Sequence, residues 1–238
     1  MADSQPFRFK RFAVEQASAA HPVGTDGVLL GAWADVYEAK NILDIGTGTG
    51  LVALMLAQRN PAAHILGVEI HAPSAACAAR NFANSDWSAR LSVAGQSVQD
   101  FAQSVDCQFD AIVSNPPFFS ENVVSPVAER QVTRHIGSLP PADLLTAVQK
   151  LLAPGGRFSA ILPKKEGQFL CELATVQGLF FSKILEVRSR TGKPVERVLL
   201  EFRHEPPFLE RAELTIHAAG GSFSDEFRRL TGAFYLGF

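Results

Sequence analysis

The chain has 238 residues, which is enough for one substantial α/β domain and short for two. A hydrophobic fraction of 47% supports a packed core, and a formal net charge of -2 provides no overall basic field, so nucleic-acid binding would need local basic patches. No apolar run suits a signal peptide or a membrane span, and the three cysteines form no metal-ligand pair. We therefore expect a cytoplasmic protein with no metal, no membrane contact and no obligate protein partner.

The N-terminal forty residues contain one short strand pattern and one helix pattern. Phe7 and Phe9 alternate with Arg8 and Lys10 at strand period, and a helix is predicted over 28–34. From residue 41 onward, short apolar runs alternate with helix-like stretches, which is typical of a βαβ sheet. The predicted strands are 41–45, 65–69, 91–94, 109–114 and 157–162, and the predicted helices are 51–59, 72–84, 143–152 and 165–176.

The last third of the chain has a different pattern. Pro154-Gly155-Gly156 is expected to stop the helix that precedes the fifth strand. Two β-rich runs, 181–190 and 195–204, flank Thr191-Gly192-Lys193-Pro194. Too little chain separates them for a helical crossover, so we expect an antiparallel hairpin. One more strand is predicted at 212–217 and a final helix near residue 225.

A glycine-rich loop follows the first strand of this alternating region. The loop reads Asp44-Ile45-Gly46-Thr47-Gly48-Thr49-Gly50 and lies at the carboxyl end of a strand, where open α/β sheets bind nucleotides. It is G-x-G-x-G with Leu51 in the sixth place, so it departs from the dinucleotide fingerprint and the ligand need not carry a phosphate. Glu69 ends the next strand, where an acid can accept hydrogen bonds from both ribose hydroxyls. Gln96, after the third strand, is placed to touch an adenine.

A second loop, Asn115-Pro116-Pro117-Phe118, follows the fourth strand. In a doubly wound sheet this strand neighbours the first one, so the two loops should face each other across a crevice. The Asn115 side-chain oxygen and the Pro116 carbonyl could both accept hydrogen bonds from a planar nitrogen, whose lone pair would then be aimed at an electrophile. The prolines fix the backbone, and Phe118 offers a face on which a flat base can stack.

These motifs carry a family resemblance. The N-P-P-[FY] loop is shared by enzymes that methylate adenine, guanine and protein glutamine. The wider pattern resembles the bacterial tRNA1(Val) adenine-37 methyltransferase family and covers nearly the whole chain. The matching stretches are 9–12, 23–33, 44–50 and 115–119, then Arg134-His135, Gly192-Lys193-Pro194 and Phe234-Tyr235-Leu236.

The resemblance implies a Rossmann-like class I methyltransferase fold in α/β architecture. It would have a seven-stranded, mostly parallel sheet with an antiparallel hairpin at its edge and helices on both faces. Residues 1–238 would form one domain, with 1–40 as a lid and 41–238 as the core that binds S-adenosylmethionine and carries catalysis. It further implies that Gly24, Thr25 and Asp26 cap the cofactor pocket and that Asn115 also meets the cofactor. The alternative for Thr25 and Asp26 is a helix N-cap.

The resemblance also implies a tRNA substrate, methylated on the exocyclic amine of the adenosine 3′ of the anticodon. Two alternatives remain open: a protein glutamine methyltransferase acting on release factors, and a ribosomal RNA guanine methyltransferase. Basic residues beside aromatic ones suit phosphate contact and stacking. The RNA-binding candidates are Arg8, Lys10 and Arg11 among Phe7, Phe9 and Phe12, then Arg134 and His135 after the catalytic loop, and Arg190 and Lys193 at the hairpin.

Overall fold

An eight-stranded sheet organises the chain in the computed structural model, which describes residues 5–16, 22–117, 139–205 and 208–238. Two short strands, β1 (Phe7–Arg8) and β2 (Ala13–Val14), pair separately as an antiparallel ribbon. The strands of the large sheet are β3 (Asn41–Ile45), β4 (His64–Val68), β5 (Leu91–Ala94), β6 (Phe109–Ser114), β7 (Leu152–Pro163), β8 (Phe180–Arg190), β9 (Arg197–Arg203) and β10 (Glu210–His217).

Seven helices accompany the strands in the described residues. They are α1 (Thr25–Trp33), α2 (Leu51–Arg59), α3 (Ala72–Ala83), α4 (Val98–Ser104), α5 (Pro141–Leu151), α6 (Lys164–Val176) and α7 (Asp225–Thr231), and a 3-10 turn at Ser88–Arg90 leads into β5. Ser97 caps α4 and Ser224 caps α7, each with a hydroxyl that accepts a hydrogen bond from a backbone N–H of the first turn.

The strand order is β10-β8-β9-β7-β6-β3-β4-β5. All neighbouring pairs run parallel except those that involve β9, which is antiparallel to both β7 and β8. The predicted α/β class and the β8-β9 hairpin are therefore confirmed. The expected count of seven strands is wrong, because residues 210–217 return to the sheet and add β10 outside the hairpin, parallel to β8.

Two hydrophobic clusters cover the two faces of the sheet. Along β9, Leu199 packs into one cluster while Val198 and Leu200 pack into the other, as the two-residue period of a strand requires. The first cluster includes side chains of α1, α2 and α7, and the second includes α4, α5 and α6. The strands are apolar on both faces because helices cover both of them.

The differences from the predicted elements have local causes. Helix α4 has no counterpart in the prediction, since only Val98, Phe101 and Ala102 of its seven residues are buried. Strand β7 begins at Leu152 rather than 157, and its pairing with β6 is irregular over the Pro154-Gly155-Gly156 stretch. The N-terminal strand pattern gives only the two-residue β1.

Phe9 and Phe12 belong to the core, which corrects their expected role as surfaces for base stacking. Both side chains are buried, and their rings stack on each other with centroids 4.7 Å apart. Phe9 also packs on Tyr235, near the other end of the chain, and Phe12 packs edge-on against Trp87.

Membrane-spanning helices and metal-binding clusters are both absent from residues 5–16, 22–117, 139–205 and 208–238. In these ranges, no helix has the length and apolar character needed to cross a membrane. The same ranges contain no group of three or more His, Cys, Asp or Glu side chains arranged to hold a metal ion.

Candidate active site at the carboxyl edge of the sheet

Strands β3 and β6 are neighbours, so the two predicted functional loops start side by side. Ile45, the last residue of β3, lies opposite Ser114, the last residue of β6. The buried Ser114 hydroxyl donates a hydrogen bond to the Ile45 carbonyl at 3.0 Å. The glycine loop leaves the sheet directly after Ile45, and Asn115 follows Ser114. This bond joins the two strand ends at the points from which the crevice is built.

The glycine loop uses backbone angles that favour glycine. Gly46, Gly48 and Gly50 have φ values of 70°, 56° and 83°. A Cβ on Gly46 would meet nothing within 4 Å, whereas one on Gly50 would lie 2.4 Å from the Phe82 ring of α3. Gly50 therefore serves packing at the start of α2, and Gly46 leaves open space beside the strand end.

A buried carboxyl supports this loop from below. Asp44 is 1% exposed, and its Oδ2 accepts a hydrogen bond of 2.6 Å from the Thr47 hydroxyl. Burial raises the pKa of the Asp44 carboxyl to about 7, and the nearby Glu69 charge adds to this rise, while the Thr47 hydrogen bond and a backbone bond at Ala53 lower the pKa. Asp44 is therefore a carboxyl whose protonation changes near neutral pH.

Glu69 joins the glycine loop to the start of α3. Its Oε2 accepts from the Gly48 N–H at 2.9 Å and its Oε1 accepts from the His71 N–H at 2.8 Å. The Glu69 side chain is only 9% exposed, and each carboxylate oxygen still has a lone pair for another donor. The next residue, Ile70, is 53% exposed and was not identified from the sequence, although an apolar residue directly after this acid is a usable signal. Gln96 lies after β5 and is partly exposed, at the same edge.

The second loop starts with a partly exposed amide. Asn115 is partly exposed, Pro116 is buried and Pro117 is exposed, whereas Phe118 lies outside the described residues. Asp110, a carboxylate close in sequence to this loop, stands four residues before Ser114 on β6, about 13 Å along an extended strand. Its Oδ2 instead accepts from the backbone N–H groups of Lys40 and Asn41, at the opposite edge of the sheet.

The segment before α1 does not use a side-chain N-cap. Gly24 is the N-cap residue and no side chain caps the helix, so the N-cap interpretation of Thr25 and Asp26 is wrong. Asp26 instead forms an ion pair with Arg197, whose Nε lies 2.8 Å from Asp26 Oδ2. Arg197 begins β9 at the same edge as Asn115, because β9 runs antiparallel. The pair is 171 residues apart in sequence, so no local pattern could have identified it.

Asn81 of α3 is another residue that sequence reasoning missed. This buried side chain donates to the Thr49 carbonyl at 2.8 Å and to the Glu15 carbonyl at 3.0 Å, and it accepts from the Glu15 N–H at 2.9 Å. One amide therefore ties the N-terminal segment to the glycine loop. Val23 N–H donates to Gln16 Oε1 at 2.9 Å, which brings the stretch before α1 to the same region.

The predicted RNA-binding residues lie in different places. Arg190 and Lys193 are exposed at the tip of the β8-β9 hairpin, on the edge that also carries Asn115. Lys10 donates to the backbone carbonyls of Gly232 and Phe238.

The remaining predicted RNA-binding residues are Arg8, Arg11, Arg134 and His135. Arg8 is exposed. Arg11 lies over the Trp87 ring at 5.4 Å, next to the amino end of β5 and thus toward the edge opposite the glycine loop. Arg134 and His135 lie outside the described residues. The structure therefore brings the hairpin cations, and not Arg11, to the edge of the predicted crevice.

The fold and the paired loops define a methyltransferase, and the comparisons agree. A family model described as the methyltransferase small domain matches residues 24–166. The fold is similar to a solved structure from Agrobacterium tumefaciens described as a predicted O-methyltransferase, with a TM-score of 0.68, 21% identity and coverage of 88% of this chain and 96% of that one. It is also similar to ribosomal protein L11 methylase from Lactobacillus delbrueckii subsp. bulgaricus, with a TM-score of 0.57, 16% identity and coverage of 79% and 82%.

Relatives of known name are considerably closer in sequence. A protein of Vibrio parahaemolyticus named tRNA1(Val) (adenine(37)-N6)-methyltransferase is 42% identical over 97% of this chain and 95% of its own length. Proteins of the same name from Histophilus somni and Bacteroides fragilis are 39% and 40% identical, over 100% and 98% of this chain and 100% and 99% of their own lengths. The chain belongs to this family of tRNA methyltransferases.

Proposed function

We propose that the protein transfers a methyl group from S-adenosylmethionine to the exocyclic amine of an adenine in tRNA, at the adenosine 3′ of the anticodon of tRNA1(Val). The observation that carries the proposal is the adjacency of the glycine loop and Asn115 at the ends of β3 and β6. Full-length similarity to relatives named for this reaction supports the choice of tRNA and adenine.

The residues at this edge fit S-adenosylmethionine. Open space beside Gly46 provides room for a ligand against the backbone, and the fixed Glu69 carboxylate can accept from the two ribose hydroxyls. Exposed Ile70 and the Gln96 side chain could flank the adenine. Bound S-adenosylmethionine supplies an electrophilic methyl group on a sulfonium sulfur. An ammonium group of this ligand placed near Asp44, which is buried beneath the loop, would favour the ionised form of that carboxyl.

Asn115 and Pro116 would hold the amine that accepts the methyl group. The Asn115 Oδ1 and the Pro116 carbonyl each accept one hydrogen bond from the adenine NH₂ group, which draws the nitrogen toward tetrahedral geometry. Most of the rate gain would come from this orientation and from electrostatic stabilisation. A strong general base is unnecessary, because the nitrogen becomes acidic once methylated. Buried Pro116 would keep the carbonyl fixed while this occurs.

The tip of the β8-β9 hairpin is the proposed contact for the tRNA backbone. Three cations of this region already have carboxylate partners: Lys164 with Glu186, Arg188 with Glu213, and Arg197 with Asp26. Among the described residues, no ion pair involves Arg190 or Lys193. The hairpin strands β9 and β8 lie about two and three strand spacings from β6, on the order of 10 to 14 Å, so phosphates near the target base could reach both side chains.

Residues 1–40 are proposed to act as a lid on the core formed by residues 41–238. The hydrogen bonds that Asn81 makes with the Glu15 backbone and the Thr49 carbonyl attach this segment to the glycine loop. The Asp26–Arg197 ion pair attaches the start of α1 to the hairpin side of the crevice. Together they favour a cover made by Gly24, Thr25 and Asp26.

The test measures transfer of a labelled methyl group to separate pools of tRNA, ribosomal RNA and release factor. We expect label in tRNA, and label in release factor alone or in ribosomal RNA alone would contradict the proposal. Asn115→Ala is expected to bind S-adenosylmethionine with nearly unchanged affinity while losing most turnover, because the amine is no longer oriented. Turnover of Asn115→Ala near the wild-type rate would contradict the acceptor role. A suitable control is Asn84→Ala, an exposed asparagine at the end of α3.

A further inference from the structure

A glycine in the interior of β4 supports the glycine loop from the neighbouring strand. Gly67 lies opposite Asp44 in the parallel pairing of β3 and β4. A Cβ at Gly67 would lie 2.6 Å from Thr47 Cγ2, 2.9 Å from Thr47 Cβ and 3.0 Å from Thr47 Oγ1. The first two distances are shorter than the contacts that Cβ atoms make in folded proteins, so the Thr47 side chain occupies the space that a larger residue at position 67 would need.

Two hydrogen bonds hold Thr47 in this position. Its hydroxyl donates to Asp44 Oδ2 at 2.6 Å, and its backbone N–H donates to the Val68 carbonyl at 3.2 Å. Thr47 is buried, and its two neighbours in the loop, Gly46 and Gly48, have positive φ angles. The position of the Thr47 side chain therefore determines both the Asp44 hydrogen bond and the path of the loop.

We propose that Gly67 is a positioning residue for the methyl-donor pocket: its missing side chain lets Thr47 pack on β4, hold Asp44 and fix the glycine loop. This inference rests on the proposed function, since it takes S-adenosylmethionine as the ligand of the loop. Gly67 itself touches no ligand. It acts through Thr47, so a change at Gly67 should be relieved by a compensating change at Thr47.

The test titrates S-adenosylhomocysteine, the demethylated product, into the protein by calorimetry. Gly67→Ala is expected to weaken binding by about tenfold or more, because the new methyl group displaces Thr47. Thr47→Ser removes Cγ2, the nearest clashing atom, keeps the hydroxyl, and leaves the contacts with Cβ and Oγ1. Gly67→Ala should therefore weaken binding less in the Thr47→Ser background than in the wild-type background, a non-additive result.

A matched control separates positioning from loss of stability. Gly156→Ala also places a methyl group too close to a neighbour, 2.8 Å from the Ala153 carbonyl oxygen near the amino end of β7, but it touches neither Thr47 nor Asp44. Gly156→Ala should lower the melting temperature and leave ligand affinity unchanged. If Gly67→Ala does not fold, Thr47→Val with native Gly67 is measured instead. This variant should weaken binding, because valine has nearly the shape of threonine but lacks the hydroxyl that donates to Asp44.

The outcomes are distinct. Wild-type affinity in Gly67→Ala, or in Thr47→Val, would overturn the inference. Equal weakening by Gly67→Ala in the wild-type and Thr47→Ser backgrounds would also overturn it, because the effect would not pass through Thr47. A wild-type protein that fails to bind the ligand would overturn the proposed function, and this inference with it.

Discussion

Replacement of Glu69 by glutamine tests the cofactor pocket at the residue that fixes two backbone segments. The Glu69 carboxylate accepts from the Gly48 N–H at 2.9 Å and from the His71 N–H at 2.8 Å. Glutamine has nearly the same size but only one oxygen. Its amide nitrogen must then face one of the two N–H donors in either orientation, so one charge-assisted hydrogen bond is replaced by a contact between two donors.

The magnitude follows from that lost bond. A hydrogen bond to a charged group contributes about 1.5–3 kcal/mol, which corresponds to roughly ten- to hundredfold in a binding constant. We expect the Kd for S-adenosylmethionine to rise by this factor in Glu69→Gln, because the NH₂ group that replaces one oxygen also removes one of the two acceptors proposed for the ribose hydroxyls. Because the proposed contact is to the ribose and not to the reacting atoms, kcat at saturating cofactor should change less than KM.

Isothermal titration calorimetry measures the effect, with Glu172→Gln as a control. Glu172 is an exposed carboxylate on α6, and the Glu172→Gln protein should bind the ligand with wild-type affinity. A folded Glu69→Gln protein whose affinity stays within about twofold of the wild type would refute the reasoning. It would mean that the carboxylate neither sets the loop nor meets the ligand.

Two further predictions concern Asp44 and the hairpin. Burial raises the pKa of Asp44 from 3.8 to about 7, so between these pH values the folded state keeps a proton that the unfolded chain releases. The free energy of unfolding should therefore fall as the pH rises through this window, by on the order of 4 kcal/mol. Chemical denaturation of the wild type and Asp44→Asn at several pH values tests this, and an equal pH slope in both would contradict it. Joint replacement of Arg190 and Lys193 by alanine should weaken tRNA binding and reduce the slope of log affinity against log salt by about 1.4 to 1.8. The same replacement of exposed Lys150 and Arg211, away from the hairpin tip, serves as the charge-matched control, and equal slopes in the two double variants would argue against the hairpin contact.

The sequence predicted the centre of the fold well, because its signals there are local. The bounds of β3, α2, β5 and β6 agree with the structure, since each element is a mainly apolar run followed directly by a glycine or an asparagine. The same local signals identified the glycine loop and the Asn115 loop. Their adjacency followed from the general topology of doubly wound sheets, without any contact being known.

The parts that were missed depend on contacts between distant residues. The packing of Phe9 on Tyr235 and the pairing of Asp26 with Arg197 join opposite ends of the chain. Basic residues beside phenylalanines therefore resembled a stacking surface, although the rings form part of the core. The role of Gly67 has no sequence signal either, because a single glycine inside a strand acquires its meaning from the residue that packs on it.

Mapping the methylated nucleotide tests the central claim most directly. Purified tRNA is incubated with the protein and S-adenosylmethionine, digested with a base-specific nuclease, and analysed by mass spectrometry of the fragments and of the nucleosides. The account predicts N6-methyladenosine in the fragment that contains the nucleotide 3′ of the anticodon, and far less of it when Asn115→Ala replaces the wild type. A methyl group on guanine, or on an adenine elsewhere in the tRNA, would contradict it.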